Sequence, residues 1–194
     1  MLYTLGGLNV AGGYLFVKNN VAGTAAAPAE TSVSDGWIGD SSQTSFARTT
    51  AGSYQTAHFA ASYAFNKFTV GARYSNSQYK PYAATAIFPD TAKFNVGSAF
   101  LNYQFTPSLS AAVNYVYMKT TGVSDSKYNQ LSAGVDYTLS KRTDVYGIAG
   151  YTKSTGQTRV GGVLQSAGAN VGDFDDSSSF NKQFVATVGI RHRF

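Results

Sequence analysis

This sequence contains no cysteine, so disulfides, thiolate zinc clusters and thiol nucleophiles are excluded. Charge is scarce as well: Asp, Glu, Lys and Arg make up 13% of the 194 residues, against roughly 25% in a typical water-soluble domain. No stretch approaches the ~18 unbroken apolar residues of a transmembrane helix, which rules out crossing a membrane by helix. Residues 1–7 lack both the basic start and the apolar core of a signal peptide. The net charge of +5 arises from 15 Lys and Arg that are scattered along the chain, with close neighbours only at Lys141-Arg142 and Arg191-His192-Arg193. That dispersion is unlike a nucleic-acid-binding stripe, and no nucleic-acid partner is expected.

The two histidines, His58 and His192, have no nearby Ser/Asp pair and no metal-ligand spacing, so neither supports a triad or a zinc site. The acidic run Asp173-Phe174-Asp175-Asp176-Ser177 fails as a calcium loop, because Ser178 stands where Gly is required and Phe184 where Glu is. It reads as a solvated loop tip. The residues therefore imply no enzyme, cofactor or metal.

What is abundant is alternation. Phe184, Ala186, Val188, Ile190, His192 and Phe194 interleave with Gln183, Val185, Thr187, Gly189, Arg191 and Arg193, a strand with one apolar face that ends on an aromatic. Seven more segments behave similarly: 8–17, 54–65, 68–79, 94–105, 109–119, 128–139 and 144–153. Most have the roughly 9–11 residues a tilted strand needs to cross an outer membrane. Two are less regular. In 94–105, Phe94, Val96 and Phe100 share the polar face with Ser98, Asn102 and Gln104, and in 144–153 either parity could face out.

Connections alternate in length. Asn66-Lys67, Thr106-Pro107-Ser108 and residues 140–143 are tight turns, whereas 18–53, 80–93, 120–127 and 154–182 read as long loops. Tyr63-Ala64-Phe65, Tyr103-Gln104-Phe105 and Tyr137-Thr138-Leu139 each precede a tight turn, which predicts an aromatic girdle at one membrane boundary. Few charges, 14 Tyr, 13 Phe and a mean hydropathy of only -0.15 fit a barrel whose lipid-facing and water-facing residues average out. The expectation is an all-β, transmembrane, antiparallel up-and-down barrel domain over residues 1–194 with about eight strands, long loops outside the cell and short turns in the periplasm.

Residues 137–146 and the terminal Val188-Gly189-Ile190-Arg191-His192-Arg193-Phe194 resemble the general diffusion porins of Gram-negative bacteria, in particular the beta-proteobacterial type. Residues 8–14 and 102–109 resemble strand and turn pieces of the same family. The resemblance implies half of a sixteen-stranded barrel, its C-terminal half, with the N-terminus truncated, and a homotrimer in the full-length protein. It implies a bacterial outer-membrane location among lipid and lipopolysaccharide, and passive diffusion of small hydrophilic solutes and ions. The constriction loop of the family belongs to the other half. Phe194 matches the family's C-terminal signal to the barrel-insertion machinery.

Parity makes His58, Arg73, Asp136, Arg191 and Arg193 the pore-lining candidates, with Asp144 a further one if its strand points that way. Their balance favours anions in a water-filled lumen. Arg191 and Arg193 also suit an anchor near the periplasmic mouth. Two rivals remain at this point: a stand-alone eight-stranded membrane protein serving adhesion or envelope structure, and a soluble ligand-binding barrel of lipocalin type.

Overall fold

The structure, a computed structural model, describes residues 2–18, 51–81, 89–160, 163–171 and 180–194. The acidic run at 173–177 lies outside them. The described residues form one antiparallel sheet and no helix. Its strands are β1 (Leu2–Leu5), β2 (Leu8–Lys18), β3 (Ala51–Phe65), β4 (Phe68–Pro81), β5 (Ala92–Thr106), β6 (Leu109–Thr121), β7 (Asp125–Ser140), β8 (Thr143–Val160), β9 (Val163–Ser166) and β10 (Lys182–His192). Each pairs with its sequence neighbour as far as β8, which then pairs with both β9 and β10. Among the described residues β1 and β10 are edges that do not meet, so the sheet is a partial barrel.

Ten strands stand where eight were expected. The additions, β1 and β9, are four residues each and hairpin back onto β2 and β8. The loop expected over 120–127 is instead a three-residue turn, because β6 runs to Thr121 and β7 starts at Asp125. There the polar ends Thr120 and Ser126 pair through their hydroxyls at 2.6 Å, which extends the ladder beyond the last apolar alternation.

The turns at the opposite end have a chemical cause. Asn66 adopts φ +50, a left-handed conformation that Asn tolerates and a two-residue hairpin favours. At the next two turns one device is used twice. Thr106 Oγ1 accepts from the backbone N–H groups of Ser108 and Leu109, and Ser140 Oγ from those of Arg142 and Thr143. Both hydroxyls sit beside a register shift in the ladder.

Opposed residues in an antiparallel pair share a face, so the register assigns every side chain. Tyr137 opposite Val145 and Leu131 opposite Tyr151 put Val145, Gly147, Ala149 and Tyr151 on the apolar face, and Asp144, Tyr146, Ile148 and Gly150 on the polar one. That settles the parity that was open in the sequence. The apolar face is left uncovered: Val188 is 86% exposed, Ile190 67% and Phe184 66%. Burying each such side chain would be worth roughly 1.5–3 kcal/mol, so this face calls for an apolar solvent. Buried apolar residues are few and small, and they lie on the polar side: Ala92 and Val123 with Tyr79 and Phe94, and separately Ala167, Ala169 and Val171. Phe94 shares the polar face because it packs in the first of these clusters.

Candidate functional site

The site is the polar face itself, and its charged groups fall into two groups on different flanks. On β3 to β5, Arg73 lies mid-strand opposite Ala60 on one side and Ser98 on the other. Its Nε donates to Ser98 Oγ at 2.9 Å. Among the described residues no carboxylate comes within 4 Å of it. Its neighbours along β4 on the same face, Gly71 and Ser75, are small, and the guanidinium is exposed. His58, on the diagonal from Arg73 across β3 and β4, lays its ring against Gly13 on β2. A Cβ built at Gly13 would come within 2.5 Å of His58 Nε2, so only glycine leaves room for this ring. Phe100 covers Gly71 from β5 in the same manner.

On β7, β8 and β10 the charges are paired. Arg191 Nε donates to Asp144 Oδ1 at 3.0 Å, its Nη2 bonds to Asp144 Oδ2, and Asp136 Oδ2 is 3.6 Å from the same Nη2. The fork of the guanidinium matches the carboxylate bidentately. One cation therefore faces two anions, near the end of the sheet that carries the tight turns. Arg193 follows just beyond β10, its backbone N–H bonded to the Arg142 carbonyl at 2.9 Å. His192 and Phe194 sit on the apolar face, their rings edge to face at 5.0 Å, with Phe194 fully exposed.

A third feature escaped the sequence reading, which treated all of 154–182 as loop. Residues 167–171 lie across the polar face of β8 and β10. The Ser154 hydroxyl donates to the Ala167 carbonyl at 2.6 Å, and the Val171 N–H donates to Gln183 Oε1 at 2.5 Å. The Ala169 N–H reaches the Phe180 carbonyl at 2.9 Å. Val171 rests on Gly150, where a Cβ would meet its methyl at 2.8 Å. Ser154 and Thr152 of β8 are buried beneath this strap, as are its own Ala167 and Ala169 against the sheet. A signal was present: Ala167, Ala169 and Val171 alternate with Gly168 and Asn170, a short period-two run inside a segment read as structureless.

The sequence model of the Gram-negative porins matches residues 1–157, more than three quarters of the chain. This chain belongs to the Gram-negative porin family. The anion-selective porin from Comamonas acidovorans shares the fold with a TM-score of 0.65 at 19% identity, covering 100% of this chain and 47% of that one. OmpT of Vibrio cholerae, an outer membrane protein, matches in its in-vitro folded form at 17% identity and TM-score 0.58, covering 98% and 53%. Its loop L8 deletion mutant matches at 15% and 0.58, covering 98% and 51%. The chain thus spans about half the length of these structures. Among curated proteins none matches.

The porin resides in the bacterial outer membrane. Its apolar face is the lipid surface of a β-barrel, and its polar face is the wall of the lumen. The aromatic row beside the tight turns now has a setting. Tyr63, Phe65, Phe68, Tyr103 and Phe105 make a continuous stack with ring centroids 4.5–5.8 Å apart beside the tight turns. That is the height of the periplasmic boundary.

Proposed function

We propose that this porin conducts small hydrophilic solutes and ions by passive diffusion, with a preference for anions, and that it does so as a homotrimer when full length. The observation that carries the preference is Arg73. It is a lumen-wall cation without a carboxylate within 4 Å among the described residues, whereas Arg191 is offset by Asp136 and Asp144. A fixed guanidinium on a water-filled wall raises the local concentration of anions. His58 adds a polar group beside it, and Arg193 a second cation at the periplasmic mouth. The shared fold with a solved anion-selective porin supports the reading. The strap at 167–171 narrows the lumen along β8 and β10, which favours discrimination by size. Selection then rests on charge and width alone, with no catalytic step.

The stand-alone barrel is less well supported, because it would need β1 to pair with β10, and open strand edges are not stable in lipid. Phe194 would serve assembly, presenting an exposed aromatic end to the insertion machinery; Phe194→Asp should reduce surface display of the full-length protein.

The test of the selectivity reading is the reversal potential of the full-length channel in a planar bilayer across a potassium chloride gradient. A potential of the sign for anion preference, moved toward cations by Arg73→Glu, is the expected result. An unchanged value in that variant at every salt concentration would remove Arg73 from the assignment.

A further inference from the structure

Val96, Phe100, Val116 and Met118 stand on the polar face, where the wall meets water. Phe94 of the same strand is accounted for by the small buried cluster it packs in, but these four are not members of that cluster. The register gathers them around one residue. Ser98 has Val96 and Phe100 two positions away along β5 and Val116 directly opposite on β6, with Met118 opposite Val96. On its other side Ser98 faces Arg73 and holds the Nε at 2.9 Å. Because Ser98 is itself buried, the guanidinium is pinned at the margin of an apolar patch. Exposed apolar surface on a polar wall marks a place where something binds.

The neighbours of Arg73 identify the kind of ligand. Held through Nε, the side chain keeps its two terminal nitrogens for a second partner, and among the described residues no carboxylate comes within 4 Å of it. A guanidinium fork grips a carboxylate bidentately. Phe100 lies on the diagonal from Arg73, where Cα atoms are roughly 7–8 Å apart and long or aromatic side chains come together. Its ring covers Gly71, two positions before Arg73 on the same face, where a Cβ would come within 2.5 Å of the ring. Glycine thus seats the ring beside the guanidinium, and Phe100 remains 36% exposed. A fixed cation next to an open ring and an aliphatic wall makes two demands at once, a negative charge and an apolar body. Chloride meets only the first.

We propose that Arg73, Phe100, Val96 and Val116 form a subsite for aromatic monocarboxylates, with the carboxylate on the Arg73 fork and the ring stacked against Phe100. The subsite rests on the anion preference proposed above and narrows it from charge alone to charge joined to an apolar body.

The test uses the full-length porin in planar bilayers bathed in potassium chloride, with benzoate, acetate or benzyl alcohol added, and reads the concentration that halves the chloride current. Benzoate should do so at about tenfold lower concentration than acetate, and benzyl alcohol should not block. Phe100→Ala should raise the benzoate value about fivefold while leaving the acetate value and the reversal potential in potassium chloride unchanged. Phe100→Tyr should retain the block, and the isosteric Val96→Thr should weaken it by about twofold. Equal block by benzoate and acetate in the wild type would overturn the proposal, as would an unmoved benzoate value in Phe100→Ala. Should that variant form no channels, an unmoved value in Val96→Thr would overturn it instead. A Phe100→Ala effect equal for chloride, acetate and benzoate would assign the patch to packing beneath another part of the barrel and overturn it too. A wild-type channel without anion preference in a potassium chloride gradient would remove the reading beneath the subsite, whereas an intact preference with any of these failures removes the subsite alone.

Discussion

Arg73 and Arg191 lie on the same polar face, yet their surroundings oppose each other. Arg73 is held by one neutral hydroxyl, Ser98, and projects from a wall of small residues. Arg191 is held bidentately by Asp144 with Asp136 beside it. A cation that already faces two carboxylates contributes little positive field at a distance, whereas an unpaired one contributes all of its charge. Counting inward-facing arginines therefore overstates the positive field of this lumen. The electrostatics are decided by which arginine has an acid across the strand.

The most direct way to break the contrast is to reverse the unpaired charge. Arg73→Glu changes the wall by two charge units, which for an ion passing about 6 Å away in water is worth about 1.4 kcal/mol, or a factor of about ten in relative permeability. The shift should be toward cations at low salt. It should shrink at 1 M salt, where the Debye length is about 3 Å. Reversal potentials at the two salt concentrations check both parts, and a shift that does not respond to salt would mean that the variant has changed the pore's shape rather than its field.

The converse experiment unpairs Arg191. Asp144→Asn removes one unit of negative charge, so the expected shift is toward anions by about threefold, half the free energy of the first. It should also lower the temperature at which the folded barrel converts to the unfolded band on a gel, since the variant leaves Arg191 with only Asp136 at 3.6 Å. A variant equally heat-stable and unshifted in selectivity would show that the pair is already screened by water.

The difference between the two arginines also explains what the sequence could reveal. Segment 68–75 alternates without a break, Phe68, Val70, Ala72 and Tyr74 against Thr69, Gly71, Arg73 and Ser75, so the inward direction of Arg73 was readable from parity alone. β8 carries apolar side chains on both faces, Val145 and Ala149 on one and Tyr146 and Ile148 on the other, so Asp144 had no readable direction. The ladders to β7 and β10 supply it, the first by setting Thr138 and the second by setting Arg191 across from Asp144. The same limit hid the full lengths of β6 and β7, whose outer ends are Thr, Ser and Lys without apolar alternation, and the strap, whose alternation is five residues long. Signals carried by one strand were legible; those that depend on the register of two were not.

The strap lies on the flank of Arg191, and Ala169→Asp sharpens the contrast in another way. Ala169 of the strap is 1% exposed, so a carboxylate there has no room and should force residues 167–171 off β8. Conductance should rise, and the added unit of negative charge should move the preference toward cations, opposite in sign to the Asp144 variant. Single-channel conductance with reversal potential on the same channels separates width from charge. An unchanged conductance would mean that the strap does not limit the path.

The smallest effect should come from Ser98→Ala, which leaves the charge of Arg73 and removes its only hydrogen-bond partner among the described residues. A neutral hydrogen bond positions the guanidinium without offsetting its charge, so the selectivity should change by less than about twofold, and in either direction as the side chain explores more of the lumen. The same logic makes Arg73→Lys nearly silent, since a lysine keeps the charge and gives up the Nε contact. Both variants differ from Asp144→Asn in one respect that can be measured: removing the partner of Arg73 takes no charge from the wall, and removing the partner of Arg191 does. If Ser98→Ala shifted the reversal potential as far as Arg73→Glu, the position of the guanidinium rather than its unpaired charge would control the passage of anions.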